Sequence, residues 1–299
     1  MPAFGRNAFV AAGFFLVMAL SGPAIGAESA AIGNFSGQWG RDTLFFEPPE
    51  SGPGPIIRMT RNPDGTPTPR GLWIGDLTNP ILKPETADFL RNRLERSKSG
   101  LVVPDAHNSC WPEPPPYVLA VHFGVHIVEQ KDKVTLVYLL HNTVRHVRMN
   151  EPHPKTVTPS WLGDSVGWYE GDTLVIDTIG IKVDPLSAVD MFGTPHTDAL
   201  HVVERYRLID GEAAAEAQRK KGTIANLNAY GRGDLDPDTS KKGLQVDVTV
   251  EDDGVYTMPW SARITYRPIM GGWPEVICAE NPFYLGTSTA NPVADAPDF

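Results

Sequence analysis

The feature that most constrains this chain is a succession of β-branched runs joined by short, turn-rich connections. Val118–Glu129 and Lys133–Met149 are linked through Gln130-Lys131-Asp132, a hairpin-length connection. Glu170-Gly171-Asp172 is a tight turn leading into Thr173–Ile181. Ala199–Ile209, Gln245–Glu251, Ser261–Tyr266 and Glu275–Cys278 follow. Short links make successive strands antiparallel neighbours, because a parallel return needs a long crossover. The expected fold is therefore mainly β, an antiparallel meander forming a closed or partly closed barrel. Pro and Gly, 28 of each and spread along the chain, leave room for many turns and few long helices.

Two helices interrupt the strands. Lys83–Ser99 has Pro84 and Glu85 in its first turn, Arg93, Arg96 and Lys98 toward its end, and Gly100 as its stop. Its apolar stripe of Phe89, Leu90 and Leu94 is narrow, which predicts a short helix on the outside of the sheet. Glu212–Lys221 opens an insertion, 211–240, between two neighbouring strands, either a lid or solvated decoration. Lys133–Met149 is long for one strand, so it is expected to be bent or to run on along a barrel wall.

Residues 1–27 read as a secretory signal peptide: Arg6 is followed by the apolar run Phe9–Leu20 and by small residues at Ile25-Gly26-Ala27. A single β-rich domain is expected over 28–286, with a disordered tail over 287–299. The expected location is periplasmic or secreted, with no membrane insertion after cleavage. The 26 basic residues less Arg6 leave 25 against 36 acidic ones, a net charge of −11. That balance repels phosphate backbones and anionic lipid, which argues against nucleic-acid or membrane-surface roles. In an oxidising compartment Cys110 and Cys278 are expected to form a disulfide. Closing so long a loop restricts the unfolded chain by about 4–5 kcal/mol in the loop-entropy model.

The chemistry-bearing residues concentrate between His153 and Arg207, and all 8 histidines fall between positions 107 and 201. Acid–base work needs an imidazole beside a carboxylate in a semi-apolar setting, where its pKa can be tuned near neutrality. His153, Asp164, His196, Asp198 and His201 are the candidate catalytic groups. Pro195-His196-Thr197-Asp198 places a His and an Asp on one side of an extended segment. Asp164-Ser165 is expected in a turn between Trp161 and Trp168, which with Tyr169 supply aromatic walls for a planar ligand. Side chains two apart on a strand share a face, so Glu204 lies with Val202 and Tyr206, opposite His201 and Arg205. Glu204 and Arg145 are candidate ligand-binding residues, or else a buried pair with each other.

Metal ligation by His153, His196, His201, Asp198 and Glu204 is the alternative chemistry, but no HxH or HExxH spacing is present. Asp172 and Asp177 read as turn and strand-edge groups. Ser165 has no G-x-S-x-G elbow. Neither a G-x-G-x-x-G nor a P-loop offers a nucleotide cofactor a home, so no cofactor is expected.

Phe35-Ser36-Gly37-Gln38-Trp39 bears a lipocalin-like resemblance, in which such a Trp closes one barrel end under an Arg such as Arg263 or Arg267. The pattern HP…PSWLGDSVGWYEGDTLVIDT…PHTDALHVVERY, with the Cys110 corner and Cys278-Ala279-Glu280-Asn281, resembles a group of uncharacterised secreted bacterial proteins. The likeness spans about 104–281 outside the insertion. It implies a shared fold and site region and carries over no catalytic role.

The readings that follow are an exported barrel that holds a small apolar or aromatic molecule and transforms it by His/carboxylate chemistry, or one that binds it without turnover. An envelope interaction protein is the third. The first two expect the imidazole, acidic and indole groups to gather in the barrel lumen; in the third the histidines are ordinary strand residues.

Overall fold

The computed structural model describes residues 33–41, 45–61, 65–68, 73–101, 103–106, 109–121, 124–221 and 234–272. The leader expected over 1–27, the tail expected over 287–299, the expected Glu275–Cys278 strand and Cys110–Cys278 disulfide, and residues 222–233 of the insertion fall outside the described residues, as do His107 and His122.

Nine strands close into a barrel. In order they are β1 (Gly37–Gly40), β2 (Val125–Glu129), β3 (Lys133–Tyr138), β4 (Thr143–Met149), β5 (Asp164–Glu170), β6 (Thr173–Ile179), β7 (His201–Ile209), β9 (Gly243–Glu251) and β10 (Trp260–Met270). β1 returns to β10 through Trp39↔Pro268 and Gly40↔Arg267, which closes the wall. The short β8 (Asp234–Leu235) pairs with the end of β10. Period-2 alternation supplies the core: Leu244, Val246, Val248 and Val250 of β9 are fully buried, while Gln245, Asp247, Thr249 and Glu251 face out. Each such buried side chain stabilises the fold by roughly 1.5–3 kcal/mol relative to leaving it exposed.

The barrel is mixed rather than wholly antiparallel. β4 and β5 run parallel, in the register Val147↔Ser165 to Met149↔Gly167. The link between them, 150–163, carries Pro152, Pro154 and Pro159 and is too long and too Pro-broken for a hairpin. It returns the chain to the end from which β4 began. Asp164 and Ser165 consequently start a strand instead of sitting in a turn.

Two long β-runs are shorter than their composition predicts. Lys133–Met149 breaks after Tyr138 at Leu139 and the 3-10 turn Leu140–Asn142, with His141 at φ 58°, and folds back as the β3–β4 hairpin. Leu139 and Leu140 are buried at this apex, beside Val121 and Tyr117. The first part of Val118–Glu129 is helix α2 (Tyr117–Ala120), started by Pro114–Pro116, with Val118 N–H donating to the Pro114 carbonyl at 3.1 Å.

α1 (Pro84–Lys98) matches the sequence expectation, but its buried face is Thr86, Ala87 and Leu90, and Phe89 is exposed. α3 (Gly211–Lys221) starts at Asp210, whose Oδ1 accepts from Glu212 N and Ala213 N at 3.0 and 3.1 Å. Gln218 Nε2 on α3 donates to the carbonyls of Gly40 and Thr265, so the helix is tied to the β1–β10 seam. Trp39 is a buried core residue whose Nε1 donates to the Phe35 carbonyl at 2.8 Å. Arg263 is engaged by Asp247, and Arg267 by the Asp236 carbonyl. None of the described helices is long and apolar enough to cross a membrane.

Candidate functional site

β4 separates two sets of charge. Arg145 points inward and is buried against Glu204 of β7, Nη2 to Oε1 at 2.8 Å. Its Nε donates to Ser165 Oγ at 2.9 Å and its Nη2 to Thr178 Oγ1, while Tyr206 Oη donates to Glu204 Oε2 at 2.5 Å. Burial works against the Arg145 charge, but Glu204 and Tyr138 more than offset it and its pKa lies above the ordinary guanidinium value. Burial likewise pushes the Tyr138 hydroxyl up to about 12. The lumen polar groups bond to one another among core side chains. The imidazoles and indoles expected there lie elsewhere, because the inward positions of β5–β7 belong to Ser165, Ile176, Thr178, Val202, Glu204 and Tyr206.

Arg148, three residues on, points outward. It grips Asp164 with both terminal nitrogens, at 2.6 and 3.0 Å. Asp164 Oδ2 meets His153 Nδ1 at 2.6 Å, and His153 Nε2 meets Asp177 Oδ1 at 2.9 Å. Asp177 Oδ2 then takes His201 Nε2 at 3.0 Å, with Glu251 Oε2 lying 3.7 Å from the other His201 nitrogen. Three of the expected catalytic residues, His153, Asp164 and His201, thus share one ladder across the outer face of β4–β9. Asp177, read from sequence as a strand-edge group, is the carboxylate that bridges the two imidazoles. The Asp164 pKa lies below the usual carboxylate range, chiefly through its bond to Arg148. His201 is raised, first by its bond to Asp177.

The remaining expected residues are dispersed. His196 is buried away from the ladder, with Nε2 2.7 Å from Ser187 Oγ. Asp198 is exposed and parts from His196, because Thr197 between them is drawn to Asp252 through N and Oγ1 at 2.6 and 2.7 Å. Trp168 Nε1 donates to Glu170 on the barrel exterior, and Tyr169 Oη donates to Glu129 Oε1 at 2.6 Å. That same Glu129 accepts from Phe35 N and Ser36 N, so Tyr169 helps hold the start of β1 in place.

A ligand-sized opening lies at the barrel mouth. The β4–β5 pairing begins only at Val147, so Thr143–His146 runs past the start of β5 and the wall parts there. The groove has a volume of about 580 Å³, and its lining includes Cys110, His141, Arg145, His146, Ser160 and Trp161. Trp161 stacks on Trp111 with centroids 5.4 Å apart and planes 19° apart, and Lys182 Nζ stands 5.0 Å above the Trp161 ring. His141 Nε2 is 3.8 Å from Oε1 of the buried Glu113. Gly163 forms the rim at φ 70°, where a Cβ would lie 2.6 Å from the Ile179 carbonyl, so only glycine lets the chain enter β5 this close to β6. Sequence reading placed Trp161 and Arg145 in a ligand site but missed His141 and Glu113. Their meeting depends on the β3–β4 apex, which has no Gly or Pro to mark it.

Among the described residues, no three or more His, Cys, Asp or Glu side chains are grouped so that they could hold a metal ion. Fold and groove define the class as a closed, nine-stranded mixed β-barrel compatible with ligand binding. Comparison with protein-family models, curated proteins and solved structures finds no match for the chain.

Proposed function

We propose that this is an exported barrel protein that binds a small, partly apolar or aromatic molecule in the groove at the barrel mouth. The observation that carries this reading is a groove of about 580 Å³ lined by Trp161, His141, His146 and Arg145, with Trp161 backed by its stacking on Trp111. An aromatic wall with a few polar groups is the usual make-up of a small-molecule site, and the volume suits a one- or two-ring ligand. The leader-like sequence over 1–27 and the resemblance to secreted proteins support export. The His141–Glu113 approach favours a second reading, in which the bound molecule is turned over by acid–base chemistry, since an imidazole beside a carboxylate can take and return a proton.

Isothermal titration with a panel of one- and two-ring aromatic alcohols and acids tests the binding. Saturable binding by at least one member is expected, and Trp161→Ala should weaken it by about 3- to 10-fold through loss of ring stacking. Failure of the whole panel to bind, or binding indifferent to Trp161, would remove the reading.

A further inference from the structure

A second cavity, of about 360 Å³, lies between α1, the Asp105 segment and the 183–196 loop. Two residues of its wall, Ser187 and His196, are 4% and 5% exposed and stand 2.7 Å apart, Oγ to Nε2. His196 Nδ1 is 3.0 Å from the Thr197 carbonyl. A carbonyl oxygen only accepts, so Nδ1 carries the ring proton and Nε2 of the neutral ring presents its lone pair. Ser187 Oγ–H then donates into that lone pair, the arrangement of a serine poised on its general base. The carbonyl that sets the tautomer is itself anchored, through the two bonds from Thr197 to Asp252. Burial lowers the His196 pKa against the opposing pull of the Thr197 carbonyl and Asp252, which leaves the ring unprotonated and able to accept.

The rest of the cavity suits an acyl group. Phe89, Val183, Leu186 and Pro195 supply apolar walls, and Arg93 reaches in from α1 as a cation. Arg93 is steadied by Asp105 at 3.5 Å and by the Pro104 carbonyl. Its approach depends on Gly193, at φ 83°, where a Cβ would collide with the guanidinium. Ser187 stands in a loop, its N–H bonded to the Asp184 carbonyl at 2.9 Å, without the strand–turn–helix of a nucleophile elbow.

We propose that Ser187 and His196 form a nucleophile–base pair that hydrolyses small esters of short apolar acids in this cavity. Ser187 Oγ adds to the ester carbonyl carbon while its proton passes to His196 Nε2. The carbon–oxygen bond to the leaving alcohol breaks, and the departing oxygen takes the proton from Nε2. Water then adds to the acyl-serine, giving a proton to Nε2 that returns to Ser187 Oγ as the carboxylic acid leaves. Ester and water become alcohol and acid, with no other reactant. The Arg93 charge offsets the negative charge that develops on the carbonyl oxygen. This site is separate from the groove at the barrel mouth and stands or falls without it.

The test is to treat the full chain with an alkyl fluorophosphonate, locate the adduct by peptide mass spectrometry, and follow p-nitrophenyl acetate hydrolysis alongside. The expected result is a single adduct on Ser187 and hydrolysis above the solution rate. Ser187→Ala should abolish both, and His196→Gln should slow labelling by at least about 100-fold. A folded parent protein that takes up no fluorophosphonate overturns the proposal. So does an adduct on another residue, or hydrolysis that survives Ser187→Ala. Labelling of the parent protein decides the matter even where the variants fail to fold.

Discussion

Arg145 and Arg148 stand three residues apart on one strand and meet their carboxylates in opposite surroundings. Arg145 and Glu204 are almost wholly withdrawn from solvent, whereas the Arg148 and Asp164 side chains keep 37% and 18% exposure. Inside, desolvation makes each charge dependent on its partner, so the pair matters most when only one member is removed. Outside, water and salt screen the same kind of contact, and the ladder holds together through several weak links. The lumen pair is a structural commitment. The outer ladder is a tunable one.

The greatest loss of stability is expected at the inner pair. Arg145→Met should destabilise the protein by about 3–5 kcal/mol, because it strands the Glu204 carboxylate in the core. The urea midpoint measures it. Adding Glu204→Leu to the same chain should recover much of the loss, since two apolar side chains leave no buried charge unpaired. A smaller effect is expected outside: Arg148→Ala should cost about 0.2–1 kcal/mol at low salt and less at high salt. Equal losses at the two positions would erase the distinction between them.

The smallest effect is the pH dependence of the ladder. His201 is raised, so the folded protein holds its proton more tightly than the unfolded chain does. That stabilisation is complete below about pH 6.5 and fades as pH rises through the folded value. Asp177 is lowered: burial opposes its charge, but the bonds from His201 and His153 prevail. Its share is complete above about pH 4 and is lost as pH falls through the folded value. The ladder is therefore strongest between about pH 4 and 6.5. His201→Gln should lower the urea midpoint at pH 5 and scarcely change it at pH 8, whereas a pH-independent loss would assign His201 a packing role alone.

Much of the barrel was legible where one rule governs one strand. Alternation along Val202–Tyr206 put Glu204 inside with Tyr206 and left His201 outside, and the pairing of Glu204 with Arg145 is one of the two roles open to it from sequence. What stayed hidden depends on where strands stop. Leu139–Asn142 looks like strand interior because its apolar residues are buried at a turn, and no Gly or Pro announces the bend. The parallel entry of β5 turned Asp164 from a turn residue into an outward strand residue beside Arg148. His196 and Ser187 meet through the 183–196 loop, whose path no period describes. The expected lumenal gathering of His153, Asp164 and His201 is replaced by an outer ladder for the same reason: which face a residue takes depends on where its strand begins.

Whether a ligand enters at the parted β4–β5 wall or into the lumen is read from the indole N–H resonances during titration with 2-naphthol. Entry at the parted wall moves the signals of Trp161 and its stacking partner Trp111 with ligand concentration while those of the buried Trp39 and Trp260 hold still. Movement of Trp39 and Trp260 with Trp111 and Trp161 unchanged would contradict it.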